Sequence, residues 1–193
     1  KLMRIPKSQS LFIFFLLLIL SACEQKRVLI MGSGSLTIDG TTITLNPGTT
    51  HTEKELMTKS STLTVKQGTT ELPLQLPEGG LYLLNMKPDT LIGSFQSLGE
   101  QKSAREFTLT QLRSSVDSLE QLLLGKNVSA AHRNFFVLPG KMVKITDQLH
   151  ARIIGPFHGL PRSIETGDDT ELYKFYTNKE GREILENLKK FLE

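Results

Sequence analysis

The sequence predicts a mixed, β-rich α+β fold, on three observations. Between residues 36 and 98, short runs alternate apolar residues with Thr, Gln and Lys, the two-residue period of strands buried on one face. Residues 109 to 123 instead space their Leu and Val three and four apart, the period of an amphipathic helix. A third stretch, from about 178 to 192, repeats the helical period behind a second helix-start signal. The chain has 193 residues, 38% of them hydrophobic, with one Cys and no Trp. That supports one ordinary domain or two small ones, and excludes collagen-like, disulfide-rich and strongly disordered classes. The expected order is an N-terminal antiparallel β-sandwich-like part, then a helix, short strands and a C-terminal helix. The expected limits are a leader over 1–22, a tether over 23–35, a β-rich domain over 36–100 and an α+β domain over 101–193.

The leader comes first. Lys1, Arg4 and Lys7 are followed by Leu11 to Leu20, ten large apolar residues in a row. As a helix that run rises roughly 15 Å, half of what a bilayer core requires, so it suits a signal-peptide h-region better than a membrane span. Small residues Ser21 and Ala22 lead to Cys23. Leu20-Ser21-Ala22-Cys23 closely resembles the lipobox of bacterial lipoproteins. The resemblance covers residues 1–23 and implies cleavage before Cys23 and a diacylglyceryl group, with palmitate-type chains, on its sulfur. It also implies a cell-envelope location. Glu24 is not the Asp that retains such lipoproteins in the inner membrane, so an outer-membrane lipoprotein facing the periplasm is expected. Nothing but this covalent lipid is expected as a cofactor. A chain whose one thiol is alkylated has none left to misoxidise in an oxidising compartment.

Residues 24 to 35 (EQKRVLIMGSGS) read as a short tether made flexible by Gly32-Ser33-Gly34-Ser35, which lacks the further Gly and the Lys-Ser/Thr that a nucleotide loop would need. Leu36 and Ile38, then Ile43 and Leu45, flank Asp39-Gly40, which suits a type I′ hairpin turn. Asn46-Pro47-Gly48 reads as a second turn, and 53–60 as a helical turn or polar loop. Leu63 and Val65 form the next strand. Leu72, Leu74 and Leu76 follow, with Pro73 marking an edge strand. Leu81 to Met86 and Leu91 to Phe95 complete the set. Leu76-Pro77-Glu78-Gly79-Gly80-Leu81-Tyr82-Leu83-Leu84 is similar to the tyrosine corner of immunoglobulin-like sandwiches and to the turns of PEGA-type envelope domains, which implies a structural role for Tyr82.

The helix over 101–125 has Thr108 and Gln111 as a capping box and Gly125 as its stop. Leu109, Leu112, Val116, Leu119, Leu122 and Leu123 should pack on the protein's own sheet. Phe135–Leu138, Met142–Ile145 and Ala151–Phe157 read as strands, with Pro139-Gly140 as a turn and Thr166–Thr170 as an acidic loop. Thr177 and Glu180 cap the last helix, whose buried face should hold Ile184, Leu185, Leu188, Phe191 and Leu192.

From Glu24 onward 20 basic residues meet 20 acidic ones, so the +3 of the whole chain belongs to the leader. No whole-protein case for nucleic-acid binding remains, and no nucleic-acid partner is expected. Charge is nevertheless uneven. Residues 126–163 carry six basic groups against Asp147 alone. Lys126, Arg133, Lys141, Lys144 and Arg152 are therefore the candidate binding surface, for an envelope protein or an anionic envelope polymer. The plainer reading pairs them with the acidic residues of 164–193. The His, Asp and Cys spacings around His132, Asp147, His150 and His158 match no closed metal-ligand set, so no metal site is expected. No Gly-x-Ser-x-Gly elbow is present, Asp168-Asp169 reads as solvated, and no catalytic residue is assigned. The expected function is a non-catalytic scaffold or accessory subunit, held to the membrane through its lipid anchor. The alternatives are a carrier or chaperone for an apolar ligand, which needs an apolar cavity, and an envelope hydrolase, which needs a cleft with a perturbed His beside an acid.

Overall fold

The first strand begins three residues after Cys23. In the computed structural model, which describes residues 24–96, 108–129, 131–159 and 170–192, ten strands and two helices follow one another. They are β1 (Lys26–Asp39), β2 (Thr42–Thr58), β3 (Thr62–Gln67), β4 (Thr70–Gln75), β5 (Gly80–Met86), β6 (Leu91–Gln96), α1 (Leu109–Leu123), β7 (Asn134–Val137), β8 (Lys141–Thr146), β9 (Arg152–Ile154), β10 (Leu172–Thr177) and α2 (Asn178–Lys190). The leader, the lipobox and Cys23 lie outside the described residues. So do 101–107 of the expected helix, Leu160-Pro161 and 166–169 of the expected acidic loop.

The fold is the mixed, β-rich α+β class that the periodicities predict. A six-stranded sheet runs β4-β3-β2-β1-β5-β8, and a four-stranded sheet runs β7-β6-β10-β9. Three cores follow from strict alternation. Val28, Ile30, Tyr82, Leu84 and Met86 face one way, into a core closed by Leu36, Ile43, Leu45, Leu63 and Val65 of the same sheet. Met31, Leu81 and Leu83 face the other way, against Leu91, Phe135, Val137, Tyr173 and Phe175 of the second sheet. Ile92 on the outer face of that sheet meets Leu122 and Leu123 of α1, with Tyr176 and Leu185 alongside. All seven residues of β5 are buried because the strand has a core on each face.

This arrangement corrects several sequence expectations. The stretch 26–35 is not a tether but most of β1, a strand hydrogen-bonded on both sides: antiparallel to β2 and parallel to β5. Its apolar residues are Val28, Leu29, Ile30 and Met31 in succession, the run expected of a strand buried on both faces. Nor is the N-terminal part an antiparallel unit, since β2 and β3 also pair in parallel. The limit at 100/101 does not separate two packing units: β8 completes the first sheet, β6 lies within the second, and the middle core draws on both segments. Side chains between the sheets need both to be dry, so neither segment holds that core alone.

Asn46-Pro47-Gly48 does not end a strand, and 53–60 is neither helix nor loop over most of its length. β2 continues to Thr58, and the pairing jumps from Ser33↔His51 to Gly34↔Pro47. Three residues of β2 therefore bulge out, which is where a strand tolerates a proline. Gly34 adopts φ +120° there, and a Cβ on it would meet Asn46 O at 2.1 Å. The hairpin turn after Asp39 forms as expected, but with positive φ at Gly40 alone (+56°), so it is not type I′. Pro73 does sit on an edge strand, β4. Tyr82 is buried, and its hydroxyl donates to Glu78 O at 2.8 Å across the Gly79-Gly80 turn.

Both capping boxes form. Thr108 Oγ1 accepts from Gln111 N, and Thr177 Oγ1 from Glu180 N, each with the reciprocal side-chain bond. The helices bury less than their periodicity suggests. Leu109 is 61% exposed and Phe191 73% exposed. α2 makes its closest approach through Gly181, where a Cβ would come within 2.6 Å of Ile92. A glycine that merely weakens an isolated helix thus lets this one lie against the sheet.

Candidate functional site

Of the five basic residues singled out from the sequence, only Arg133 and Lys144 meet, at one polar cleft with Asp147, Glu171 and Tyr173. Lys126 follows α1, Arg133 precedes β7, Lys141 and Lys144 lie on β8, and Arg152 opens β9. Two of them are neutralised locally. Lys144 Nζ bridges Glu78 (2.6 Å) and Asp147 (2.7 Å). Burial works against its ammonium, but these hydrogen bonds outweigh burial and hold its pKa above the ordinary lysine value. Arg133 pairs with Glu171 at 2.8 Å and lies 4.5 Å over the Phe95 ring. Lys126, Lys141 and Arg152 are exposed and have no ion pair among the described residues. Among the described residues, the acidic stretch thus accounts for Arg133 alone.

Glu171 also receives the Tyr173 hydroxyl at 2.8 Å. Burial of this 1%-exposed tyrosine, then that carboxylate, pushes its pKa up to about 12. The unfolded tyrosine ionises near 10, so its contribution to stability is fully present below pH 10 and is lost as pH rises through 12. Tyr173→Phe should therefore be the less stable protein at pH 9. Urea titrations at pH 9 to 12 should show wild type losing roughly 1–3 kcal/mol relative to the variant over that window. A difference independent of pH would remove Tyr173 as the titrating group.

A denser cluster, which sequence reasoning missed, sits beside the β1–β2 bulge. His51 and Glu53 alternate onto the same face of β2, and His51 Nε2 lies 2.8 Å from Glu53 Oε1. Lys87, just past β5, places Nζ 3.0 Å from His51 Nδ1 and 3.4 Å from Ser33 Oγ. It is 6% exposed. Burial lowers its pKa, against the opposing charges of Glu53, Asp89 and Glu180. The loop after β9 closes the cluster. His158 Nδ1 lies 3.9 Å from Glu53 Oε1 and 3.0 Å from Pro156 O. Phe157 stands at φ +66° with its ring 5.7 Å from that of His51 and 5.6 Å from Lys87 Nζ. Its amide donates to Glu180 Oε1 at 3.1 Å, so the capping-box carboxylate of α2 also holds this strained residue. Lys174 Nζ, 2% exposed, donates to Gly155 O at 2.6 Å and to Phe175 O at 3.0 Å. Burial lowers the Lys174 pKa as well, against Glu180 and Glu53.

Two clefts meet at Ser33 and Lys87. One, of about 280 Å³, is polar-rimmed and reaches His51, Phe157 and Glu180. The other, also about 280 Å³, is mostly apolar and opens into the curled part of the first sheet between Leu45, Val65, Leu84 and Met86. No helix among the described residues is long and apolar enough to cross a membrane. No protein-family model, curated protein or solved structure matches the chain.

Proposed function

We propose that this chain is an outer-membrane lipoprotein whose folded part serves as a non-catalytic scaffold or accessory subunit of an envelope complex. The observation that carries this reading is the run from the apolar Leu11–Leu20 to Leu20-Ser21-Ala22-Cys23. Two or three acyl chains on Cys23, at about 0.8 kcal/mol per buried methylene, make attachment effectively permanent. The start of the fold bears on what such an anchor does. Gly79 N donates to Glu24 Oε2 at 2.6 Å and Gly80 N to Gln25 O at 3.3 Å, so the chain is already tied to the body one residue after Cys23. A body attached this closely has little slack to move away from the membrane surface. The exposed Lys126, Lys141 and Arg152 are the contacts offered to an acidic envelope protein or anionic polymer.

The apolar cleft favours a second reading, a carrier for an apolar ligand. At about 280 Å³ it lies at the small end of ligand pockets, so it ranks behind the scaffold. One experiment separates the two. Metabolic labelling with an alkyne fatty acid should mark the wild-type protein and not Cys23→Ala. Cross-linking in intact cells, followed by pull-down and mass spectrometry, should then recover a discrete partner that is lost with Lys126→Glu, Lys141→Glu, Arg152→Glu. Absence of label on wild type would overturn the anchor. Absence of any protein partner, with lipid extracted from the purified protein, would replace the scaffold by the carrier.

A further inference from the structure

We infer that His51, Glu53 and His158 form a binding site for a late first-row divalent cation of the zinc class. Each offers one ligand atom, and the three atoms lie within 4.8 Å of one another. Zinc holds imidazole nitrogen and carboxylate oxygen at about 2.0–2.2 Å, so its ligands stand roughly 3–3.5 Å apart. The observed separations, 2.8 Å for His51 to Glu53 and 3.9 Å for His158 to Glu53, straddle that spacing. Two imidazoles with one carboxylate suit zinc or its neighbours and not calcium or magnesium, which take oxygen ligands.

The surroundings resemble a ligand shell more than a chance contact. Each imidazole has a close neighbour: Lys87 Nζ lies 3.0 Å from His51 Nδ1, which leaves Nε2 to face Glu53, and the Pro156 carbonyl lies 3.0 Å from His158 Nδ1, a bond that this ring gives up if Nδ1 ligates the cation. Glu53 reaches its place only because residue 155 is glycine, where a Cβ would stand 1.7 Å from the carboxylate oxygen. The loop that delivers His158 carries its strain at Phe157, φ +66°, and that residue is held in turn by Glu180. The side-chain exposure rises from 17% at His51 to 60% at His158, which leaves an open side for entry and for a water ligand.

The test uses the full chain purified in detergent, stripped with a chelator and titrated with Zn²⁺ against a chromophoric zinc indicator. Wild type should take up one equivalent. Glu53→Gln and His158→Ala should each lower its affinity at least about tenfold. His132→Ala and His150→Ala, which alter the other two histidines of the four, should leave it unchanged. Zn²⁺ should also raise the thermal midpoint of wild type but not of His158→Ala. His158 is the most exposed ligand, so that variant keeps the test valid if a change at Glu53 disturbs folding. No stoichiometric uptake by wild type, or uptake that survives His158→Ala together with Glu53→Gln, would overturn the site and leave His51 and Glu53 as partners of the buried Lys87.

Discussion

Asn85→Leu should be among the most destabilising single substitutions in this protein, at about 4 kcal/mol. Asn85 is 0% exposed in the middle of β5. Its Nδ2 donates to Val137 O at 2.8 Å and to Asp89 O at 2.9 Å, and its Oδ1 accepts from Lys87 N at 2.9 Å. One side chain thereby joins the two sheets, closes the turn before β6 and sets the backbone from which Lys87 reaches His51. Leucine has nearly the right volume and none of the polar atoms. It leaves two carbonyls and an amide without partners, at about 1–3 kcal/mol for each group that stays dry. Urea unfolding measures the loss, and hydrogen exchange at the Lys87 amide should speed up even where the protein stays folded. An Asn85→Leu protein with unchanged stability and unchanged exchange would show that water replaces all three bonds.

Gly93→Ala should cost about 2–3 kcal/mol through overpacking, a fall in thermal midpoint of roughly 5–10 °C for a domain of this size. Gly93 pairs directly with Phe175 across β6 and β10. An added Cβ would stand 2.4–2.6 Å from three ring atoms of Phe175, which is 0% exposed and packed in the core between the sheets. The ring cannot swing aside, since it is already engaged with Phe135 at 6.0 Å. Gly159→Ala, with open space around it, is the control and should be neutral. Adding Phe175→Leu should recover part of the loss, because a smaller side chain makes room for the new methyl. Equal melting of Gly93→Ala and wild type would mean the sheet shifts at no cost.

Features decided within a few residues were legible from the sequence. Thr108 with Gln111 and Thr177 with Glu180 start helices by hydrogen bonds spanning three positions, and both form. Pro73 lacks an amide hydrogen and is confined to an edge wherever the strand lands. The alternation through Leu63 and Val65 marks a strand with one buried face, and both side chains are buried. The β-rich α+β class follows from such local periods.

Tertiary structure decided what local chemistry leaves open. Residues 26–35 read as a tether on their Gly and Ser, and become part of a central strand only because β2 and β5 supply a partner on each side. Strand β10 has no loop signal at its C-terminal end, since Thr177 is both its last residue and the cap of α2. Its place between β6 and β9 depends on pairings about 80 and 20 residues back. The cluster at His51 was hidden for the same reason. His51 and Glu53 share a face only if their segment is a strand, and His158 joins them across 105 positions through one strained loop. Spacing in sequence reports neighbours along one element. Contacts between elements are settled by which faces must be kept dry together, and that condition is met only by the whole chain.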